Sequence, residues 1–196
     1  MRRALVASVV AIVAMTAFFG FAYPLVMTGF ASVAFPHHAQ GSLLHRQGKT
    51  IGSSLAAQPF TWPRYFHERP SATAPAYNAA GTTFSNLGPT NPALAKLVAQ
   101  NAAAVVKLER PYNTGLTIGD VPVDAVVPSA SGIDPEISIA YAQLQERRVA
   151  AVRHLPLATV QKLVQEHTTG RWLGLFGEPG VNVLELNLAL DQLGRK

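Results

Sequence analysis

The chain has no cysteine among its 196 residues, so it can form neither a disulfide nor a thiolate metal site. Charged residues make up only 14% of the sequence. Past the two N-terminal arginines, no cluster of four or more Lys and Arg residues occurs. Because such a cluster is the electrostatic footprint of nucleic-acid binding, the composition does not indicate a nucleic-acid partner.

Recognisable catalytic motifs are missing as well. The sequence contains neither a Gly-x-Ser-x-Gly nucleophile elbow nor a His-Glu-x-x-His zinc helix. Asp124, Asp134 and Glu178 are the carboxylates that could act as general acid or base in a cleft. Asp134 and Glu178 each precede a proline, which is typical of turns. We therefore expect no catalytic site and no metal site.

One long apolar run opens the chain. After Met1-Arg2-Arg3, residues 4–35 carry no charged side chain, and about 20 apolar residues suffice for a membrane-spanning helix. Flanking arginines stay in the cytoplasm. We expect a cytoplasmic start over 1–3, a transmembrane helix over 4–30 and an extracytoplasmic domain over 36–196. The alternative is a cleaved signal peptide, whose apolar run is usually about 7–15 residues.

The remainder predicts an α/β (α+β) domain, because helical apolar spacing alternates with short extended or glycine-punctuated segments. Asn91-Pro92 supplies a helix cap followed by a first-turn proline. The predicted elements are extended segments over 42–44 and 50–55, a helix over 93–108, an edge strand over 121–127, a helix over 138–153 and a helix after Pro156. The stretch 181–193 fits both a strand and a helix.

Residues 59–92 are rich in proline and in aromatic side chains. A segment this long without regular structure is uncommon in a compact domain and is often functional. Its aromatic content argues against a disordered linker. We expect it to pack against the domain or against a partner, with Trp62 and Tyr65 among the contacts.

Several phrases carry a family resemblance that runs from about Tyr23 to Asp191. In order, they are Tyr23–Gly29, Phe60–Phe66, Ser85–Pro92, Ser129–Pro135, His167–Arg171, Gly177–Pro179, Val181–Leu184 and Leu186–Leu190. The eight-residue phrase Ser-Asn-Leu-Gly-Pro-Thr-Asn-Pro is the most specific of them. In this order and spacing they resemble the C subunit (KdpC) of the Kdp potassium-transporting P-type ATPases of bacteria.

The resemblance implies a non-catalytic accessory subunit of a four-subunit pump in the bacterial inner membrane. Its partners would be an ATP-hydrolysing P-type subunit, a potassium-channel-like subunit and a second small membrane subunit. The family is described as a catalytic chaperone that raises the ATP affinity of the hydrolysing subunit and stabilises the complex. This chain lacks the Asp-Lys-Thr-Gly phosphorylation sequence, so it would meet ATP and K⁺ only through the complex.

The resemblance also suggests site residues. The expected partner contacts are Tyr23, Thr28, Gly29, Trp62, Tyr65, Ser85, Asn86 and Asn91, and the family's nucleotide-linked glutamine falls in the region of Gln145. The positive-inside rule, applied to Arg2 and Arg3, places Gln145 in the periplasm, where ATP is not available. We therefore expect any effect of this chain on ATP affinity to be allosteric. The alternatives are a membrane-anchored periplasmic hydrolase or binding domain and a cleaved, freely soluble binding protein.

Overall fold

The computed structural model describes residues 1–193. The chain divides into two compact units, and the boundary along the sequence lies between Ser53 and Ser54. The first unit consists of helix α1 (Arg2–Ala17), a π-helical turn (Phe18–Ala22), helix α2 (Tyr23–Ala34), helix α3 (Pro36–Ala39), and strands β1 (Leu43–Arg46) and β2 (Lys49–Ser53). The two strands pair antiparallel. They confirm the extended segments predicted on either side of Gly48.

Helical structure continues through α1, the π-helical turn and α2, so that one apolar helix covers Arg2–Ala34. It is long and apolar enough to cross a membrane, and none of its most apolar stretch is buried in the protein. Proline cannot donate the usual helix hydrogen bond. Immediately before Pro24, the Tyr23 N–H donates instead to the Phe18 carbonyl, an i to i−5 bond that lets the helix pass the proline.

The second unit is a mixed helix-and-sheet domain, which confirms the predicted fold class. Its elements are helix α4 (Pro92–Glu109), strand β3 (Glu136–Ser138), helices α5 (Ile139–Arg153) and α6 (Leu157–Glu166), strands β4 (Thr168–Thr169) and β5 (Gly180–Asn182), and helix α7 (Val183–Leu193). The three strands form an antiparallel sheet in the order β3-β5-β4. Helices α5, α6 and α7 contact one another and share the core with the buried strand β5.

The predicted helix starts are confirmed by their caps. Asn91 Oδ1 accepts the Ala93 N–H at 2.9 Å at the start of α4. Ser138 Oγ accepts the Tyr141 N–H at 3.0 Å at the start of α5. Both side chains satisfy backbone donors that the first helical turn leaves without an internal partner.

The predicted edge strand over 121–127 is wrong, because this stretch forms a 3-10 turn over Val123–Ala125. Pro122 has no N–H for a strand ladder, and its carbonyl accepts the Ala125 N–H at 3.1 Å.

The stretch 181–193, which fits both a strand and a helix, contains both. Its first two residues belong to strand β5, and the rest forms helix α7. Asn182 ends strand β5 and accepts the Glu185 N–H at 3.0 Å, so that helix α7 begins at the next residue.

Candidate functional site

The most distinctive local structure is the segment of residues 62–68, which makes a turn over 62–65 and whose following backbone is paired by side chains rather than by a strand. We call it the braced segment. Asn187 of α7 accepts the Phe66 N–H and donates to the Phe66 carbonyl, both at 2.9 Å. Gln145 of α5 accepts the His67 N–H at 2.7 Å and donates to the His67 carbonyl at 3.1 Å. Two carboxamides thus supply the hydrogen bonds that a neighbouring strand would supply.

Arg148 of α5 lies fully buried beneath the same segment. Its Nε donates to Glu109 Oε1 of α4 at 2.7 Å. Its Nη1 donates to the carbonyls of Pro63 and Tyr65, and its Nη2 donates to Gln145 Oε1 at 2.8 Å. The planar guanidinium therefore connects two helices and the braced segment at one point.

A second arginine holds the rim of the segment. Arg153 Nε donates to the Arg64 carbonyl at 2.6 Å, and its Nη2 donates to Asp191 of α7 at 2.9 Å. The guanidinium carbon lies 4.8 Å from the centre of the Tyr65 ring, and the Tyr65 hydroxyl donates to the same aspartate at 3.0 Å. Tyr65 is therefore fixed by a hydrogen bond and by a cation–π contact.

The side chain of Trp62, unlike that of Tyr65, projects away from the domain. It is 70% exposed, although the backbone around it is tied down. The Trp62 carbonyl accepts the Tyr65 N–H at 3.0 Å and the His67 Nε2–H at 3.1 Å. The braced segment therefore presents a large apolar side chain to the outside on a backbone with little freedom.

Gln145 has no exposed surface, since its carboxamide is occupied by His67 and Arg148. A large open hollow of about 770 Å³ lies along the exposed side of α5, where Gln143 and Arg147 line it together with Gln161 of α6. Gln145 is not among the residues that line this hollow. A ligand could reach its side chain only if the braced segment moved away.

The other predicted contacts are distributed over both units. Tyr23, Thr28 and Gly29 are exposed on helix α2 of the first unit. Ser85, Asn86 and Asn91 are exposed on the loop that precedes α4, where Asn91 also serves as the helix cap. Arg148 of α5 donates both to Gln145 and to the Tyr65 carbonyl. The structure thus brings Gln145 close to the braced segment, which carries Tyr65 and Trp62. Ser85 and Asn86 belong to a separate loop.

The chain after the braced segment is ordered by polar contacts, which confirms that the proline- and aromatic-rich stretch packs on the domain in this part. Ser71 Oγ donates to the Gly132 carbonyl at 2.6 Å, and the Tyr77 hydroxyl donates to the Arg69 carbonyl at 2.9 Å. Gly132 has a φ of +73°, and a Cβ there would lie 2.6 Å from Thr73 and 2.9 Å from the Thr83 carbonyl. Only glycine fits this contact.

The three carboxylates considered as general acids or bases all have structural partners. Asp124 accepts the Ser138 N–H at 2.7 Å and its hydroxyl at 2.8 Å. Asp134 pairs with Arg69 at 2.9 Å, and Glu178 pairs with Arg171 at 2.8 Å. These contacts support the interpretation that the three carboxylates shape turns and helix ends.

Glu68 ends the braced segment in an unusual environment. It is 5% exposed, and it lines a cavity of about 310 Å³ with Tyr77 and Asn101. Within residues 1–193, neither of its carboxylate oxygens has a hydrogen-bond partner of normal geometry. Burial raises the pKa of Glu68 well above its usual value, and nearby Asp134 raises it further, while the Gln58 backbone N–H acts weakly in the opposite direction.

The pKa of the neighbouring His67 is shifted in the opposite direction, downward. Burial, and then the charge of Arg148, lower the pKa of His67 to about 4. His67 is therefore neutral in the folded chain above that pH. In the unfolded chain its pKa would be about 6.5, so above pH 7 it is largely neutral in both states.

We expect the contribution of Glu68 to the free energy of unfolding to fall as the pH rises from about 4.3, the usual pKa of an unfolded glutamate, towards its raised folded-state pKa, because over this range the folded chain keeps a proton that the unfolded chain releases. The slope from this group is at most about 1.4 kcal/mol per pH unit. Urea unfolding of the full-length chain in mild detergent between pH 5 and 9 measures it as the difference between the wild type and the variants. Glu68→Gln should remove this contribution, whereas Glu166→Gln, at an exposed position, should retain it. Equal slopes in all three proteins would contradict this assignment.

Sequence reasoning missed Glu109, Arg148 and Asn187. In α5, Ala142 and Val149 are apolar and buried, and residues 145 and 148 continue the same three- and four-residue spacing. The spacing was therefore a usable signal, but a buried arginine is uncommon without a partner. The partner, Glu109, lies 39 residues away in sequence, and no local pattern connects the two.

The chain thus has one apolar helix that is long enough to cross a membrane and, in its second unit, an exposed tryptophan on a hydrogen-bonded backbone. Comparison with known sequences identifies the family. A family model described as "K+-transporting ATPase, c chain" matches residues 5–192, and the chain therefore belongs to the KdpC family.

Relatives named "Potassium-transporting ATPase KdpC subunit" match nearly end to end. The protein from Acidobacterium capsulatum is 52% identical over 90% of this chain and 91% of its own length. That from Sorangium cellulosum is 52% identical over 94% and 95%, and that from Methylibium petroleiphilum is 50% identical over 97% and 98%.

Proposed function

We propose that this chain is a non-catalytic accessory subunit of an ATP-driven potassium uptake pump, which it stabilises and whose hydrolysing subunit it helps to bind ATP. The family and the names of its relatives support a role in a potassium-transporting ATPase. The observation that carries the proposal is the braced segment, since its rigid backbone and exposed Trp62 suit permanent docking. The partners would be the P-type subunit, the potassium-channel-like subunit and the small membrane subunit.

We place the domain on the periplasmic side of the bacterial inner membrane, with helix Arg2–Ala34 as a single membrane span. Support comes from Arg2 and Arg3, which favour a cytoplasmic N-terminus. ATP would then lie across the membrane from Gln145, whose side chain is also fully buried. We therefore propose that the effect on ATP affinity is allosteric and is transmitted by a membrane partner with two states.

The docking partner of the braced segment would be the outer face of the potassium-channel-like subunit. A rigid surface loses little conformational freedom on binding, and buried tryptophans are frequent hot spots. Direct attraction of potassium by this segment is less well supported, because its one carboxylate, Glu68, is buried with a raised pKa. Docking, rather than ion steering, is the role that we assign to it.

Helix α2 would contribute contacts inside the membrane. Thr28 and Gly29 are small, and a Cβ added at Gly29 would meet nothing within 4 Å. Small residues of this kind allow two membrane helices to approach closely. Tyr23 would add an amphipathic ring on the same helix.

Trp62→Ala is expected to weaken association with the larger subunits by about 2 kcal/mol or more, because it removes an exposed anchor from a preorganised surface. The complex would be purified from membranes through a C-terminal tag on this chain. The recovery of the larger subunits and the ATP dependence of potassium-stimulated hydrolysis would then be measured. We expect lower recovery of the larger subunits with Trp62→Ala. In membranes from cells that lack this chain, assayed directly without tag purification, we expect a higher apparent KM for ATP.

Val123→Ala is the matched control, because Val123 is 73% exposed and lies outside the braced segment. It should leave recovery unchanged. If Trp62→Ala also leaves recovery unchanged, docking by the braced segment is wrong. If omission of the whole chain changes neither activity nor the KM for ATP, the accessory role itself is wrong.

A further inference from the structure

A second apolar feature lies at the other end of the domain sequence, in the loop between β4 and β5. Four large apolar side chains of the segment 172–176 are strongly exposed: Trp172 at 69%, Leu173 at 71%, Leu175 at 77% and Phe176 at 60%. We call this segment the apolar tip. Other exposed large apolar side chains in the described part of the second unit occur singly, at Leu55, Trp62, Phe84, Ile118 and Val123.

The apolar tip is a small preformed hairpin. The Trp172 N–H donates to the Phe176 carbonyl at 2.8 Å, and the reverse bond is 3.0 Å. The two rings lie 5.8 Å apart, centre to centre. The backbone is therefore closed on itself, and the leucines between the rings project from a defined turn.

The turn holds Leu173 in a conformation that its side chain does not favour. Its φ is +51°, and that of Gly174 is +73°. A turn with two successive positive φ values favours Asn-Gly or Asp-Gly, and a branched apolar residue there is strained. Leu173 is also exposed, so burial within the domain does not compensate for this strain. Such a residue is expected where a surface outside the domain covers it.

The charges at the base of the apolar tip are neutralised. Arg171 Nη2 donates to both carboxylate oxygens of Glu178, at 2.8 and 2.9 Å. Residues 172–176 themselves carry no charge. A neutral tip with one tryptophan, one phenylalanine and two leucines has the composition of segments that insert into the interfacial layer of a membrane.

The size of the apolar tip also favours lipid over a protein partner. A stable protein interface takes about 20–30 residues from each side, which one five-residue turn does not provide. Moreover, residues 35–53 join the apolar helix to the second unit. Even fully extended, they keep the start of the second unit within about 65 Å of the helix end. A bilayer that contains the helix would therefore be present at high effective concentration.

We propose that the apolar tip inserts into the interfacial layer of the bilayer and forms a second membrane attachment of the domain. Trp172 and Phe176 would lie at the level of the headgroups, and Leu173 and Leu175 would reach the upper acyl chains. This proposal rests on the membrane span Arg2–Ala34 but not on the role in a potassium pump.

The absence of native cysteine allows a direct test by spin labelling. Leu173→Cys and, separately, Leu175→Cys would be labelled in the full-length chain in vesicles of phosphatidylethanolamine and phosphatidylglycerol. Oxygen, which concentrates in the acyl layer, and a water-soluble nickel chelate would be used as collision partners. Val123→Cys is the matched control, since Val123 is as exposed as the leucines but lies elsewhere on the domain.

We expect labels at 173 and 175 to collide several-fold more with oxygen, relative to the nickel chelate, than the label at 123. The same difference should persist when the labelled chain is assembled with its partner subunits. If all three labels are equally accessible to the chelate, the insertion is wrong. If positions 173 and 175 become protected from both reagents only in the assembled complex, a partner subunit covers the tip and the lipid proposal is overturned.

Discussion

Arg148→Met is expected to lower the free energy of unfolding by about 3–5 kcal/mol, the usual cost of removing one partner from a buried ion pair. Glu109, which is 1% exposed, would remain as a buried carboxylate. Its Oε2 already has no hydrogen-bond partner among residues 1–193. The carbonyls of Pro63 and Tyr65 would each lose a donor. Urea unfolding of the full-length chain in detergent, followed by tryptophan fluorescence, measures the change.

The neighbouring arginine provides the control. Arg147 is exposed on the same helix, and Arg147→Met should change the free energy of unfolding by less than about 0.5 kcal/mol. A double variant, Arg148→Met with Glu109→Leu, should recover part of the loss, because it removes the uncompensated charge. If Arg148→Met is no less stable than Arg147→Met, the buried pair does not hold the two helices together.

Gln145→Leu is expected to cost about 2–3 kcal/mol, because the His67 N–H and carbonyl and one Arg148 donor would lose their buried partner. The braced segment would loosen, and Trp62 would no longer be held in place. The variant should therefore unfold more readily and recover less of the larger subunits. In the complex that does assemble, the apparent KM for ATP should equal that of the wild type.

This result separates a structural glutamine from a nucleotide contact. Substitution of a residue that touches ATP would raise the apparent KM for ATP and would leave the stability of the isolated chain nearly unchanged. Gln143→Leu, at an exposed position two residues earlier on α5, should change neither quantity. A selective rise in KM for Gln145→Leu, with wild-type unfolding, would contradict the role of Gln145 as a brace.

The buried polar centre also explains why an irregular segment can be rigid. Residues 62–68 have no strand neighbour, yet side chains of α5 and α7 satisfy the backbone of Phe66 and His67. Buried backbone groups without partners are costly. The carboxamides of Gln145 and Asn187 remove this cost, and they hold the exposed Trp62 on a fixed backbone.

The sequence by itself determined the elements whose signals are local. The uncharged run after Arg3 predicts one long apolar helix, and the structure has that helix over Arg2–Ala34. Asn91 and Ser138 are strong helix caps, and the helices begin next to them as predicted. The ordered phrases from Tyr23 to Leu190 determined the family, since they need no knowledge of the fold to be recognised.

Tertiary structure alone decided where local signals conflict or are silent. The strand predicted over 121–127 became a turn because Pro122 lacks a donor and Asp124 binds Ser138 from a distant part of the sequence. The pairing of Arg148 with Glu109, and of Gln145 with His67, joins residues that no periodicity relates. A buried charge or carboxamide is tolerated only where the fold brings it a partner, so its role is visible only in three dimensions.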